Sequence, residues 1–164
     1  MKILLLSDTH SFIDEKILKY CATADEVWHA GDIGNRVVAD KIKELKPLRA
    51  VYGNIDGKDL RSEFPLDQVF TIEGVKVWIT HIAGYPKKYD HRVKKMLVEI
   101  RPKLMICGHS HILKVQYDQE HNMLHMNPGA AGISGFHQVR TLLRFEIEKG
   151  EIKNLEVIEL GKRI

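Results

Sequence analysis

The chain has 164 residues, of which 44% are hydrophobic and 29% are charged, and its formal net charge is +3. This length and composition are typical of one globular domain with a substantial core, so we expect a single domain over residues 1–164. The basic residues occur as scattered pairs, which argues against nucleic-acid binding as a main role.

The sequence carries no sign of export or membrane insertion. No apolar run approaches the roughly 18 residues that a membrane-spanning helix needs. Lys2 precedes the apolar run Ile3–Leu6, but this run is too short for the core of a signal peptide. The two cysteines, Cys21 and Cys107, lie far apart and do not suggest a disulfide framework. We therefore expect a cytoplasmic protein without a membrane partner.

The first half of the chain alternates between strand-like and helix-like patterns. Apolar runs of strand length are separated by segments with helical spacing, and Pro47 ends the second helix. This βαβαβ order with short connections is typical of a parallel sheet covered by helices. The predicted strands are Lys2–Leu6, Glu26–Ala30 and Leu48–Tyr52, and the helices are marked by Ile13, Ile17, Leu18 and Cys21 and by Val37, Val38, Ile42 and Leu45.

The second half of the chain is richer in strands. Several of them alternate apolar and polar residues, as half-buried antiparallel strands do. The two strands that flank Gly74 form a predicted hairpin, and a helix is predicted over Tyr89–Ile100, ended by Pro102. The predicted strands are Gln68–Glu73, Val75–Thr80, Leu104–Cys107, Leu113–Asp118, Leu124–Asn127, Thr141–Glu148 and Ile152–Leu160.

Short polar motifs follow the apolar runs, at the points where predicted strands end. They are Asp8-Thr9-His10, Gly31-Asp32, Gly53-Asn54-Ile55-Asp56 and Gly108-His109-Ser110-His111, and His81 ends a further strand. Parallel strands bring the residues beyond their carboxyl ends to one edge of a sheet. Carboxylate, amide and imidazole donors together suit Mn²⁺, Fe or Zn²⁺. The motifs therefore predict a metal site.

Each motif residue also has an ordinary structural interpretation. Alone, Asp8 or Asp32 would be a helix cap or turn residue, Asn54 a turn residue and His81 a structural histidine. Unrelated cap and turn residues would not be expected after every one of the early strands. The occurrence of all these residues at strand ends therefore favours metal binding. Two ions a few ångströms apart need a bridging ligand, and Asp32 is the candidate because it has no histidine beside it.

The ordered motifs D-x-H, G-D, G-N-x-D, T-H and G-H-S-H resemble those of the calcineurin-like metallophosphoesterases, particularly the small YfcE-type phosphodiesterase branch. The resemblance extends from Asp8-Thr9-His10 to Asn127-Pro128-Gly129-Ala130. It implies an α/β fold, a four-layer αββα sandwich with two mixed β-sheets flanked by helices. It also implies the metal ligands, which are Asp8, His10 and His111 for one ion, Asn54, His81 and His109 for the other, and Asp32 as the bridge.

The resemblance implies hydrolysis of phosphodiester bonds, in which a hydroxide held between two ions attacks phosphorus in line with the leaving group. Asp8, Asp32, Asn54 and His109 would then be catalytic. We expect two divalent ions, with Mn²⁺ as first choice, although Ni²⁺, Fe or Zn²⁺ could fill such ligands. A small phosphodiester is the expected partner, and exposed strand edges would allow a homo-oligomer.

Substrate contacts are predicted for Asn54 and for Arg36, which follows Asp32 by four residues and could reach a phosphate. An exposed, solvated side chain is an equally good interpretation of Arg36. We expect structural roles for Asn127 near the site and for His29 in the core. His137 is considered as a proton donor and disfavoured.

The sequence departs from the family pattern at two places. Many members have a histidine in the third motif that protonates the leaving group, and this chain has Ile55 there. Asp56, which would orient that histidine, is then expected to cap a turn or to support the metal ligands. The fourth motif lacks a second histidine after His81. These departures favour activated or cyclic diesters, because general acid catalysis contributes ~10²–10⁴-fold.

Two alternatives remain open at this point. A phosphomonoesterase or nucleotidase would use the same site and differ only in the shape of its pocket. A non-catalytic protein-binding scaffold would keep the fold, as one retromer subunit does, but would not need the complete ligand set.

Overall fold

The computed structural model describes residues 1–163, which form two five-stranded sheets, a two-stranded sheet and four helices. The helices are α1 (Glu15–Ala22), α2 (Arg36–Leu45), α3 (Lys58–Glu63) and α4 (His91–Ile100). The strands are β1 (Lys2–Leu6), β2 (Glu26–His29), β3 (Leu48–Ala50), β4 (Asp67–Ile72), β5 (Val75–Thr80), β6 (Gly84–Tyr85), β7 (Lys88–Tyr89), β8 (Leu104–Ile106), β9 (Leu113–Asp118), β10 (Met123–Pro128), β11 (Val139–Glu148) and β12 (Glu151–Lys162).

Both large sheets mix parallel and antiparallel strands. The first has the order β12-β11-β1-β2-β3, in which β1, β2 and β3 are parallel and β11 is antiparallel to β1 and β12. The second has the order β4-β5-β8-β10-β9, with β5, β8 and β10 parallel and an antiparallel strand at each edge. The predicted parallel arrangement of the first three strands is confirmed.

Strand β1 is apolar on both faces because each face packs against a different layer. Leu4 and Leu6 belong to a buried cluster that includes Ile17 of α1 and Ile42 of α2. The residues between them point the other way, since side chains alternate along a strand, and they pack against the second sheet. This double burial explains the continuous apolar run in the sequence.

Helix α4 covers the outer face of the second sheet. Its residues Val93 and Leu97 pack against Trp78, Met105 and Met123 of strands β5, β8 and β10. The layers are therefore helices, sheet, sheet and helix, and the predicted αββα sandwich is confirmed. Among the described residues, no helix is long and apolar enough to cross a membrane.

The observed elements differ from the predicted ones mainly at their ends. Helix α1 begins after Asp14, whose carboxylate accepts a hydrogen bond from the backbone N–H of Ile17, so Ile13 lies outside the helix. Helix α3 was missed because it has six residues and only Leu60 is buried, which leaves no periodic pattern. The hairpin of β6 and β7 was missed because each strand has two residues.

His125 on β10 makes the stability of this fold depend on pH. The residue is buried beside Tyr89 and Cys107, and burial lowers its pKa from 6.5 to about 4. The unfolded chain then binds a proton more tightly than the folded chain, so stability is lost as pH falls from about 6.5 towards 4. We expect this one group to cost about 2 kcal/mol at pH 5 relative to pH 7.5.

Urea unfolding at the two pH values tests this prediction. The variant His125→Leu should lose less stability between them than the wild type, by about 2 kcal/mol, while His91→Leu, at an exposed position on α4, should follow the wild type. An identical loss in wild type and His125→Leu would show that folding does not lower the pKa of His125.

Candidate metal centre

The predicted metal ligands all lie in loops at one edge where the two large sheets meet. Each loop follows a parallel strand of the first or the second sheet. The loop after β1 contains Asp8 and His10, the loop after β2 contains Asp32, the loop after β3 contains Asn54, His81 directly follows β5, and the loop after β8 contains His109 and His111. The side chains separate into two groups of donors.

The first group consists of Asp8, His10 and His111. One ligand atom from each of these residues lies within 4.8 Å of the others. Asp8 Oδ1 is 3.2 Å from His111 Nε2 and 3.8 Å from His10 Nε2. A carboxylate oxygen and two imidazole nitrogens therefore face a common point, and this is the donor set that the family resemblance implies for the first ion.

The second group consists of Asp32, His81 and His109, with Asn54 beside them. The donor atoms of the three residues lie within 4.8 Å of one another. Asn54 Oδ1 is 3.1 Å from His81 Nε2 and 3.0 Å from His109 Nδ1. The amide oxygen thus faces the same point as the two imidazoles.

The carboxylate of Asp32 contacts both groups. Its Oδ1 lies 3.2 Å from His81 Nε2 in the second group, and its Oδ2 lies 3.5 Å from His10 Nε2 in the first. A carboxylate in this position can offer one oxygen to each of two cations, as the sequence predicted for the bridging ligand.

Several of these residues have a left-handed backbone. The residues with positive φ are Asp8, His10, Asp32, His109 and His111. Such a conformation costs on the order of 1–3 kcal/mol for a residue other than glycine and persists only where the surroundings enforce it. The backbone N–H of Asp8 donates to Gly31 O at 3.0 Å, and that of His10 donates to Asp32 O at 3.0 Å. These two hydrogen bonds therefore fix the loop after β1 to the loop after β2.

The glycines of the motifs leave space for the functional side chains. A Cβ at Gly53 would lie 2.0 Å from Asp32 Oδ1, and a Cβ at Gly31 would lie 2.6 Å from His81 Nδ1. Gly31 also has a φ of +101°, which disfavours other residues. These close approaches explain why glycine precedes the carboxylate or amide in the second and third motifs.

Two buried atoms of the centre lack hydrogen-bond partners. Asp8 Oδ1 and His10 Nε2 are among the few such side-chain atoms within residues 1–163. Leaving a buried polar atom unsatisfied is costly, and a bound cation coordinated by both atoms would remove that cost. The residues present therefore fit the divalent cations that the donor chemistry implies.

Both carboxylates of the centre are held in their ionised form. Burial alone would raise the pKa of Asp8, but the neighbouring imidazoles and the hydrogen bond from Ser7 Oγ outweigh burial and lower this pKa well below its usual range. Burial likewise opposes ionisation of Asp32, but the adjacent imidazole of His81 and the hydrogen bond from the backbone N–H of Ile55 lower the pKa of Asp32 overall. Two negative charges are therefore available to bind cations at neutral pH.

Asp56 ties two of the ligand loops together. Its carboxylate accepts hydrogen bonds from the backbone N–H groups of Ile33 at 3.1 Å, Gly34 at 2.7 Å and Gly53 at 2.7 Å. The loop after β2 is thereby fixed to the loop after β3. This geometry agrees with the supporting role expected for Asp56.

His29 is a satisfied core histidine, as predicted. The backbone N–H of Gly31 donates to His29 Nδ1, so Nε2 carries the proton and donates to Thr9 Oγ1 at 2.9 Å. The hydroxyl of Thr9 in turn donates to Ile33 O. Burial lowers the pKa of His29 to about 4 and keeps the ring neutral.

The remaining candidates have partners of their own outside the two donor groups or behind a ligand. Arg36 Nη2 lies 3.1 Å from Glu63 Oε2, so its guanidinium forms an ion pair with α3. Asn127 donates to Gly108 O and accepts from the N–H of Gly129, which fits its expected structural role. His137 has both ring nitrogens engaged, by His111 and by Gly132 O, which agrees with disfavouring it as a proton donor.

Sequence reasoning missed two contacts to the centre. Ser7 Oγ donates to Asp8 Oδ2 at 2.6 Å, and the ring of His137 lies against His111. Ser7 precedes Asp8 directly and could have been considered as its partner. The contact of His137 depends on the fold of a distant loop, so no local pattern indicates it.

Known proteins share this fold. A probable metallophosphoesterase of Methanothermobacter thermautotrophicus is 26% identical to this chain over 167 residues, covering 98% of this chain and 94% of the relative. The structure of an archaeal phosphodiesterase superposes with a TM-score of 0.75 at 24% identity, covering 98% of this chain and all of that one. A single mutant of Vps29 from Entamoeba histolytica gives a TM-score of 0.76 at 18% identity over 98% of this chain and 100% of that chain.

The family assignment rests on the sequence as a whole. The calcineurin-like phosphoesterase superfamily domain matches residues 1–150, which is most of the chain. The chain therefore belongs to the calcineurin-like phosphoesterase superfamily.

Proposed function

We propose that the chain is a metal-dependent phosphodiesterase with two divalent ions in its active centre. The observation that carries the proposal is the pair of donor groups with the carboxylate of Asp32 between them. Family membership supports a metal-dependent phosphoester hydrolase, and the two donor groups support the proposed position of the ions. The number of ions, their identity and the preference for diesters are parts of the proposal.

The residues of this chain would hold the ions in two sets. Asp8, His10 and His111 form one, Asn54, His81 and His109 form the other, and Asp32 serves both. Ions held by these residues would supply positive charge beside the phosphate and would make water more acidic, so that a hydroxide would be available for in-line attack on phosphorus. Oxygen and imidazole donors suit Mn²⁺, and Ni²⁺, Fe and Zn²⁺ also bind such ligands.

The protein prepares the ligand atoms before any ion binds. Ala30 O can only accept a hydrogen bond, so His81 donates from Nδ1 at 2.7 Å, and its Nε2 lone pair then faces Asp32 and Asn54. Asn54 presents Oδ1 to the imidazoles, which leaves its amide nitrogen to donate to a phosphate oxygen. Burial raises the pKa of the nearby Cys107 thiol to about 12, so this thiol is not a nucleophile.

Two cavities beside the second donor group favour a diester substrate. A cavity of about 330 Å³ is lined by Asn54 and His81 together with Tyr52, Arg61 and other residues. Another, of about 410 Å³, is lined by His109 with Tyr85, Lys114 and other residues. A phosphodiester carries two substituents on its phosphate, and one could occupy each cavity, whereas a monoester carries one. A larger cavity of about 970 Å³ is lined by α4, β9, β10 and β12 and contains none of the proposed ligands.

The finer features of the proposal are these. We propose a single domain, a small diester and not a nucleic acid as substrate, a cytoplasmic location and association through exposed strand edges. A contact of Arg36 with substrate stays a prediction, because its ion pair with Glu63 would have to open.

The first experiment compares a diester with a monoester. We expect the metal-stripped chain to cleave bis(4-nitrophenyl) phosphate when Mn²⁺ is added and to cleave 4-nitrophenyl phosphate more slowly. The variant Asp8→Asn should lose at least 100-fold of this activity, because it removes a charged ligand from the first group. Asp40→Asn changes an exposed carboxylate on α2 and should behave as the wild type.

Three other outcomes would contradict the proposed substrate class, the proposed site or the proposed catalytic activity. Faster cleavage of the monoester would favour a phosphomonoesterase or nucleotidase on the same site. Full activity in a folded, metal-loaded Asp8→Asn variant would show that the site is elsewhere. Binding of two ions without cleavage of either ester would favour a non-catalytic scaffold.

Ile55 provides a second prediction because it stands where many family members have a proton donor. Its side chain is 46% exposed, and its backbone N–H donates to Asp32 Oδ1, so position 55 lies at the rim of the centre. The variant Ile55→His should raise cleavage of an alkyl diester, whose leaving group needs a proton, by 10-fold or more. Cleavage of the 4-nitrophenyl diester should change less, because its leaving group departs as an anion.

The ratio of the two kcat/KM values, measured for wild type, Ile55→His and Ile55→Phe, tests the prediction. Ile55→Phe controls for the size of the imidazole. An unchanged ratio in Ile55→His would show that this position does not face the leaving group.

A further inference from the structure

The ring of His137 contacts one of the proposed metal ligands from the side opposite the metal site. His137 Nδ1 lies 3.2 Å from His111 Nδ1, and the two rings meet edge to face with their centroids 5.2 Å apart. The other nitrogen of His137, Nε2, lies 2.8 Å from the backbone oxygen of Gly132. His111 Nε2 faces Asp8 Oδ1 at 3.2 Å.

These contacts fix which nitrogen of each ring carries a proton. A carbonyl oxygen only accepts, so His137 donates to Gly132 O from Nε2. A neutral imidazole has one N–H, and Nδ1 of His137 is therefore an acceptor. The facing Nδ1 of His111 must then be the donor, which leaves the lone pair of His111 Nε2 directed at Asp8 and the first donor group.

We propose that His137 is a positioning residue that holds His111 in the Nδ1–H tautomer, with Nε2 ready to bind the metal. The effect of His137 on metal binding rests on the proposed function. The hydrogen bonds that set the tautomer of His111 are present in the protein without metal. His137 does not touch the ion or the substrate in this arrangement, and it acts only through His111.

The loop that carries His137 is anchored to the same strand end as Asp8. The backbone N–H of Ala131 donates to Ser7 O at 2.9 Å, and that of Gly132 donates to Asp8 O at 3.1 Å. The carbonyl that orients His137 therefore belongs to a residue that is itself bonded to Asp8. Arg163 Nε donates to the backbone oxygen of His137 at 3.1 Å and holds the loop from the other side.

Gly135 lets this loop pass close to the histidine pair. Its φ is +127°, and a Cβ there would lie 2.2 Å from His111 Nδ1 and 3.2 Å from His137 Nδ1. The backbone therefore packs directly against the hydrogen bond between the rings. A side chain at position 135 would push the two nitrogens apart.

In the second donor group, a backbone carbonyl orients a proposed metal ligand in the same way. His81 Nδ1 donates to Ala30 O, which directs His81 Nε2 into the centre. His111 has the side chain of His137 where His81 has a carbonyl. Partners of this kind, when removed, typically lower metal affinity by 10–100-fold.

The tautomers can be measured directly in the metal-free protein. Long-range ¹H–¹⁵N spectra at pH about 8.5, where neutral histidine dominates, should show Nδ1–H for His111 and Nε2–H for His137. In His137→Phe the Nδ1–H form of His111 should no longer dominate. An Nε2–H tautomer for His111 in the wild type would overturn the proposal, whether or not the variant folds.

Metal affinity provides the second readout, measured by titrating Mn²⁺ into each folded protein with calorimetric detection. His137→Phe should weaken binding at one of the two sites by 10–100-fold. His137→Asn, whose amide oxygen can accept from His111 Nδ1, should recover part of that loss, and the exposed-site control His91→Phe should match the wild type. Equal affinity in His137→Phe and wild type would contradict the proposal. A wild type that binds no metal would refute the proposed function, while the tautomer measurement would still decide the role of His137.

Discussion

The carboxylates of Asp8 and Asp32 are both buried and both ionised, and the rest of the centre depends on neutralising them. His10 and His81 each lie within 4 Å of both carboxylates, and His111 lies 3.2 Å from Asp8. Two like charges in a buried site are stable only with positive charge or strong donors beside them. The imidazoles that surround the two carboxylates are also good ligands for divalent cations. Within the described residues, Asp8 Oδ1 has no hydrogen-bond partner, so it is free to bind a cation.

The fold brings these groups together in loops whose backbone is strained at several residues. Parallel strands of two different sheets end at the same edge, so short loops from both sheets can meet there. Several of the ligand residues adopt left-handed backbone conformations, and Asp56 fixes neighbouring loops through three backbone N–H groups. A strained backbone that is held in this way keeps the donor atoms in place before a cation binds, which reduces the reorganisation that binding requires.

Much of this arrangement could be predicted from the sequence, for identifiable reasons. Strand β1 was predicted with its observed bounds because its residues are apolar on both faces. The candidate ligands were recognised because each motif follows a predicted strand and because the ordered motifs resemble those of a known family. Helix α3 and the hairpin of β6 and β7 are too short to show periodicity. The left-handed backbone of Asp8 and the contact of His137 with His111 depend on hydrogen bonds between distant loops, which a local pattern does not encode. The glycines before Asp32, Asn54 and His109 were a visible trace of that crowding.

The claim at the centre of this interpretation is that two cations bind with Asp32 between them. Anomalous diffraction at the manganese edge, from crystals grown with Mn²⁺, tests it without reference to any substrate. Two peaks are expected, one among Asp8, His10 and His111 and one among Asn54, His81 and His109, each within coordination distance of a different oxygen of Asp32. A single peak, or peaks that Asp32 does not contact, would contradict the two-ion centre.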